Sequence, residues 1–134
     1  MTHLLDSSAL LAFYFNEPGA ERVRDLLFDE GTTVGLSVLT AVEFWARLRN
    51  VGAEPVFQAT WSYFVGIMSD IRPVTSPVVL ESIQLRRAAS ARLPTIDALI
   101  AATAAVHGAV LVHRDPHFAA IPAGRLKQEV LPSA

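Results

Sequence analysis

Apolar residues along the chain alternate between short continuous runs and longer stretches with helical spacing. Residues 3–5 read as a short buried strand running into Asp6-Ser7-Ser8, a helix N-cap signal ahead of residues 9–15. Pro18 and Gly19 restart a helix with Val23, Leu26 and Leu27 on its inner face and acids outside. Residues 33–36 predict a second strand. Ser37 is then expected to cap a helix in which Val38, Leu39, Val42, Ala46 and Leu48 follow the helical period. Residues 54–68, with Phe57, Trp61, Phe64 and Val65, predict another helix, and residues 71–75 a third strand. Residues 77–91 predict a helix with proline in its first turn. Thr95 opens a further helix ending at Gly108, a residue suited to the left-handed C-terminal position. The run Val110-Leu111-Val112 within residues 109–113 suits a strand covered on both faces, and residues 125–131 add an edge strand. Strands alternating with helices predict an α/β fold: a three-layer α/β/α sandwich around a central, mainly parallel sheet, with residues 1–134 as one domain.

Composition narrows the setting. Apolar residues make up 51% of the chain, a surplus that a large core, a membrane segment or a partner interface would explain. The longest apolar stretches, residues 98–106 and 109–112, are broken by His107, Gly108 and Arg114, short of the ~20 residues a membrane span needs. No signal-peptide pattern opens the chain, so the cytoplasm is the expected location. The absence of cysteine excludes disulfides and zinc–thiolate sites. A net charge of −2 gives no whole-molecule attraction for nucleic acid, so any such contact must be local.

Most of the 13 acidic residues lie on polar faces or in turns. Asp6, Glu43 and Asp97 instead sit among apolar neighbours, and Asp115 follows the apolar run before it. Each has a plain structural explanation. Asp6 would cap a helix, and Thr40-Ala41-Val42-Glu43 has capping-box spacing. Asp97 suits a helix dipole, and Asp115-Pro116 resembles an N-cap with proline at the first helical position. Their predicted places in the fold argue for more. Asp6 and Asp115 lie just past strand C-termini, while Glu43 and Asp97 lie in first turns of helices, which begin on that same edge. Carboxylates ~4 Å apart repel by roughly 4 kcal/mol per pair at an effective dielectric of 20, so such a cluster calls for protons or a cation. Hard divalent ions, Mg²⁺ or Mn²⁺, prefer carboxylate and water oxygens. The four histidines show no ligand spacing of the HExxH kind.

The segments Leu4-Leu5-Asp6-Ser7-Ser8, Val42-Glu43, Thr95-Ile96-Asp97-Ala98-Leu99-Ile100-Ala101-Ala102-Thr103-Ala104 and Val112-His113-Arg114-Asp115-Pro116-His117-Phe118 resemble, in order and spacing, the PIN-domain ribonucleases. Within them the resemblance is to VapC-like toxins of type II toxin–antitoxin pairs, and it covers almost the whole chain. It implies that Asp6, Glu43, Asp97 and Asp115 are the acidic catalytic set, with Asp6, Asp97 and Asp115 holding one or two Mg²⁺ or Mn²⁺ ions. It further implies that Ser8 orders the site. Two departures stand out. His113 occupies a position where the family often has Thr or Ser, which would alter substrate contacts. His117 stands where a further acid is common, so His117 is not expected to bind metal.

The chemistry implied is endonucleolytic hydrolysis of phosphodiester bonds in structured RNA, transfer or ribosomal. Because an acidic pocket repels RNA, backbone contacts must come from the rim, with Arg114 first and Arg86, Arg87 and Arg92 behind it. Phe13, Tyr14, Phe15, Trp45, Trp61 and Phe64 are more large aromatics than one small core needs, and most suit the core. The resemblance implies that some line a homodimer interface and a groove for a cognate antitoxin, partners that composition alone only permits. A phosphotransfer receiver lacks its paired acid beside Asp6, and a haloacid-dehalogenase-type phosphatase lacks its second aspartate where Ser8 stands. The remaining rival is a catalytically silent α/β binding module whose acids are helix caps.

Overall fold

The structure is a computed structural model and describes residues 1–133. Five strands, β1 (His3–Leu5), β2 (Val34–Ser37), β3 (Asp70–Arg72), β4 (Val110–His113) and β5 (Gln128–Val130), pair in the order β3-β2-β1-β4-β5, every pair parallel. Six α-helices connect them among the described residues: α1 (Ser7–Tyr14), α2 (Ala20–Phe28), α3 (Thr40–Asn50), α4 (Phe57–Ile67), α5 (Ser76–Ala88) and α6 (Thr95–Val106). The expected three-layer α/β/α sandwich is present, with the sheet wholly parallel. No helix among the described residues is long and apolar enough to cross a membrane.

Strand periodicity divides the interior in two. Leu4 and Leu111 face one side with α5 and α6, joined by Val78, Leu85, Ile100 and Phe118. Leu5 and Val112 face the other with α1 to α4, joined by Leu10, Val23, Leu36, Phe44, Leu48 and Phe64. The central strands are covered on both faces, which is why they read as continuous apolar runs. Helix α6 is mostly small residues, and Ala98, Ala101, Ala102 and Ala104 are all fully buried. Gly108 closes it at φ 64°, the left-handed position expected.

Several boundaries differ from expectation; the helix expected over 77–91, for one, runs Ser76–Ala88. The helix expected from Ser37 begins at Thr40, because Val38 N–H still bonds Arg72 O while the chain leaves the sheet. Its buried stripe is Thr40, Phe44 and Leu48, whereas Val42 is 63% exposed. Val42 and Phe44 lie roughly 200° apart around the axis, so only one can face the core, and the larger side chain does. The stretch 54–68 splits into a short 3-10 turn at Glu54–Val56 and then α4. β3 stops at Arg72, where Pro73 has no N–H to extend the ladder. Of the edge strand expected over 125–131, only Gln128–Val130 pairs.

Candidate active site

In the order β3-β2-β1-β4-β5, connections from β1 lead one way and β4 lies on the other side, so the crevice past the C-termini of β1 and β4 is the topological switch point. Asp6 follows β1 directly and its backbone N–H bonds Val112 O of β4 at 3.0 Å. Asp115 lies two residues past β4. Glu43 and Asp97 occupy the first turns of α3 and α6. All four expected acids therefore border the expected edge of the sheet.

Their fields overlap. Asp6 is 2% exposed, and its carboxyl is pushed up to about 7, first by burial and further by Asp115 and Asp97. Hydrogen bonds from Ser8 and Ala9 act in the opposite direction but do not offset it. Asp97 rises to about 6, by burial and then by the charges of Asp115 and Glu43. Such raised values are expected where carboxylates are desolvated together.

Local hydrogen bonds set each carboxylate. Asp6 does cap α1: its Oδ1 accepts from Ala9 N–H at 2.9 Å and from Ser8 Oγ at 2.7 Å. Ser8 Oγ in turn accepts the Arg114 backbone N–H at 2.9 Å, tying the start of α1 to the end of β4. Asp115 caps the 3-10 turn Pro116–Ala120, its Oδ1 accepting from His117 N–H at 2.9 Å. Glu43 closes no capping box. Its carboxylate accepts a hydrogen bond from Ser7 of α1, while the Thr40 hydroxyl is buried without a partner among the described residues. Asp97 makes no capping bond, since α6 has Pro94 at its N-cap and no side-chain cap there.

Two histidines border the acids. His117 Nδ1 lies 3.0 Å from Asp115 Oδ1 and 3.2 Å from Asp97 Oδ2. Asp97, Asp115 and His117 offer potential ligand atoms within 4.8 Å of one another. Its position thus joins the acidic cluster that the sequence comparison set it apart from. His113 is buried, with Nε2 paired to Gln128 Oε1 at 2.7 Å and Nδ1 to Asp115 N–H at 3.1 Å. Both ring nitrogens are engaged within the protein. Burial lowers its pKa, favouring the neutral ring.

Arg114 is also committed: its Nη2 lies 2.5 Å from Glu17 Oε1 and its Nη1 donates to Pro18 O at 3.3 Å. Two hollows flank Asp115 and His117. One of about 400 Å³ is lined by His113, Arg114, Asp115, Gln128 and Val130, among others. The other, about 310 Å³, is lined by Arg92 and His117. Arg86 and Arg87 are exposed at the end of α5. Sequence reading missed Ser7, absorbed into a cap signal, and Gln128, in a strand identified by its apolar neighbours alone.

The donor set fits a hard divalent cation. Asp6, Asp97 and Asp115 offer carboxylate oxygens, and burial first, then their mutual repulsion, raises the pKa of Asp6 and Asp97, a cost that a cation would relieve.

Comparisons with known proteins agree with this geometry. A family model described as PIN domain matches residues 3–124. The fold is similar to that of VapBC2 from Rickettsia felis bound to a promoter DNA fragment, at TM-score 0.79 and 18% identity, covering 98% of this chain and 100% of that one. It is similar to VapC20 of Mycobacterium tuberculosis, described as a sarcin–ricin-loop-cleaving toxin, at TM-score 0.72 and 18% identity over 98% of this chain and 100% of that one. FitAB bound to DNA matches at TM-score 0.71 and 25% identity, covering 96% and 94% of the two chains. Among curated protein sequences none matches. With the family model spanning most of the chain and its acids gathered at the switch point, this protein belongs to the PIN-domain family of nucleases.

Proposed function

We propose that this chain is a Mg²⁺- or Mn²⁺-dependent endoribonuclease that cleaves structured RNA, transfer or ribosomal, as the toxin of a toxin–antitoxin pair. The observation that carries this reading is the convergence of Asp6, Glu43, Asp97 and Asp115 on one crevice, with the carboxyls of Asp6 and Asp97 raised to about 7 and about 6. Asp6, Asp97 and Asp115 would hold one or two ions. When bound, the metal supplies charge neutralisation for the phosphate and a water of lowered pKa.

The chain's own residues orient the rest. Ser8 fixes Asp6 Oδ1 and the Arg114 backbone at once, the ordering role inferred for it. Glu43, held by Ser7, is suited to orienting the attacking water or completing the acidic set. RNA would cross the rim past Arg114 and the hollow lined by Arg92 and His117, where guanidinium groups suit phosphate. The toxin role draws support from VapC20, a sarcin–ricin-loop-cleaving toxin, and from a toxin–antitoxin complex of Klebsiella pneumoniae, both of which share this fold. An antitoxin and a homodimer partner are accordingly expected, and the apolar surface offers room for both. One such surface is a hollow of about 570 Å³ lined by Phe13, Tyr14, Phe28, Tyr63 and Phe64, with Arg24 beside them.

A second reading, a catalytically silent module, is favoured by the capping bonds of Asp6 and Asp115. Capping accounts for neither Asp97, which makes no capping bond, nor Glu43, which is held by Ser7 of another helix. Cleavage of RNA by the antitoxin-free chain with Mn²⁺, against EDTA and Asp6→Asn controls, decides between them. Activity that survives chelation, or an Asp6→Asn protein as active as wild type, would overturn the metal-dependent reading.

A further inference from the structure

A chain of hydrogen bonds ends on Asp115, with a backbone group at each end. Phe118 O accepts from Gln128 Nε2 at 3.1 Å. Gln128 Oε1 meets His113 Nε2 at 2.7 Å, and His113 Nδ1 meets the Asp115 backbone N–H at 3.1 Å. A carbonyl can only accept and an amide N–H can only donate, so both ends have fixed polarity. Starting from Asp115, Nδ1 must be bare, Nε2 must carry the proton, and Gln128 must present its oxygen to the ring and its nitrogen to Phe118. Starting from Phe118, the same assignment results. The alternative tautomer would set two N–H groups against each other in a partly buried site.

We infer that His113 is a positioning residue, locked by Gln128 in the Nε2–H tautomer so that its bare Nδ1 holds the Asp115 backbone and aims that carboxylate at Asp97 and His117. The ring is well placed for this. It is buried at the end of β4 and packs on Phe118 with centroids 4.7 Å apart, while Gln128 sits on the neighbouring strand β5. Phe118 lies in the 3-10 turn that Asp115 caps, so the loop carrying Asp115 is held from both sides. Asp115 lies beyond a strand end with only a 3-10 turn after it; without His113 its loop would rely on the His117 N–H bond to its side chain and a longer Phe118 N–H bond to its carbonyl, 3.4 Å. The inference rests on the functional reading above as regards metal, but the lock itself is independent of it.

Two substitutions separate the acceptor from the ring. His113→Asn places Oδ1 where Nδ1 stands and keeps the acceptor in an Asx-type turn. His113→Phe keeps the ring and its packing on Phe118 but removes the acceptor. In metal-free wild-type protein labelled with ¹⁵N-histidine, His113 is expected to show a bare Nδ1 and a protonated Nε2. The Asp115 amide is expected to exchange slowly with solvent in wild type and in His113→Asn, and at least ~10-fold faster in His113→Phe. Titration calorimetry with Mn²⁺ is expected to show roughly 10- to 100-fold weaker binding for His113→Phe, the usual effect of losing a residue that orients a ligand, and near-wild-type binding for His113→Asn. A protonated Nδ1 in wild type would overturn the proposal even if neither variant folds. So would a folded His113→Phe protein with wild-type Asp115 protection and Mn²⁺ affinity, or a His113→Asn protein as impaired as His113→Phe. Failure of wild type to bind Mn²⁺ would overturn the functional reading instead, since the tautomer and the Asp115 amide are read without metal.

Discussion

The hydroxyl of Ser7, at the start of α1, donates to the carboxylate of Glu43 in the first turn of α3, across 36 positions of sequence. The bond joins two helices that follow neighbouring strands, and it directs Glu43 away from the backbone of its own helix. Glu43→Gln keeps an acceptor for Ser7 and is expected to unfold within about 1 kcal/mol of wild type, while RNA cleavage falls at least ~100-fold. Thr40, in turn, should be dispensable as a cap. Because its hydroxyl is buried without a partner among the described residues, Thr40→Val is expected to leave stability unchanged or raise it. A loss of about 1 kcal/mol in urea unfolding would restore the capping-box reading.

Asp6 makes stability depend on pH in a definite direction. Its carboxyl, near ~4 in an unfolded chain, is raised to about 7 in the fold, so the folded state binds this proton more tightly. The metal-free protein should therefore lose stability as pH rises from about 4 to about 7, with Asp97 adding the same trend up to about 6. Asp6→Asn should remove most of the Asp6 part and melt higher than wild type at pH 8 in EDTA. Melting curves between pH 4 and pH 8 check this, and a wild-type midpoint that climbs across that window would refute it for these groups.

Metal should reverse the same trend. At a concentration 100 times its Kd, Mn²⁺ should stabilise the fold by about 2.7 kcal/mol. The increment should be larger at pH 8 than at pH 6, because protons compete for the raised carboxyls of Asp6 and Asp97. Thermal shifts with and without EDTA, repeated on Asp97→Asn, provide the comparison; an unchanged response in that variant would remove Asp97 from the ligand set.

Arg114 is paired with Glu17, and any contact with RNA must compete with that ion pair. Arg114→Gln is expected to raise KM more than it lowers kcat and to reduce the salt slope of RNA binding by roughly 0.7, the value for one contact to a single strand. Glu17→Gln, which frees the guanidinium, should shift KM the opposite way. Equal KM values in all three proteins would take Arg114 out of the substrate path.

The apolar hollow between α1, α2 and α4 has exposed walls in Phe28, 76% exposed, and Tyr63, 57% exposed. On the proposed function, Phe28→Ser with Tyr63→Ser is expected to weaken binding of a co-expressed antitoxin by at least ~10-fold while leaving RNA cleavage by the free chain intact. Unchanged co-purification would place the antitoxin elsewhere.

The fold was largely legible because burial leaves a periodic trace. Runs such as Leu4-Leu5 and Leu111-Val112 face two cores, and strands of that kind imply a parallel sheet covered on both sides. The face of α3 was misread because Val42 and Phe44 are both apolar, and only packing decides which points inward. Among the acids, the sequence by itself singled out Asp6, Glu43 and Asp97, since a charge among apolar neighbours is costly without a purpose, and Asp115 by its place just past an apolar strand. The tertiary structure decided what each of them bonds. That Asp6 both caps a helix and belongs to the cluster, that Glu43 answers to Ser7 rather than Thr40, and that His117 lies between two aspartates depend on contacts between residues distant in sequence or on the exact turn of a loop. Hydrogen-bond partners are fixed by direction and distances of about 3 Å, and neither is written in the spacing of residue types along a chain.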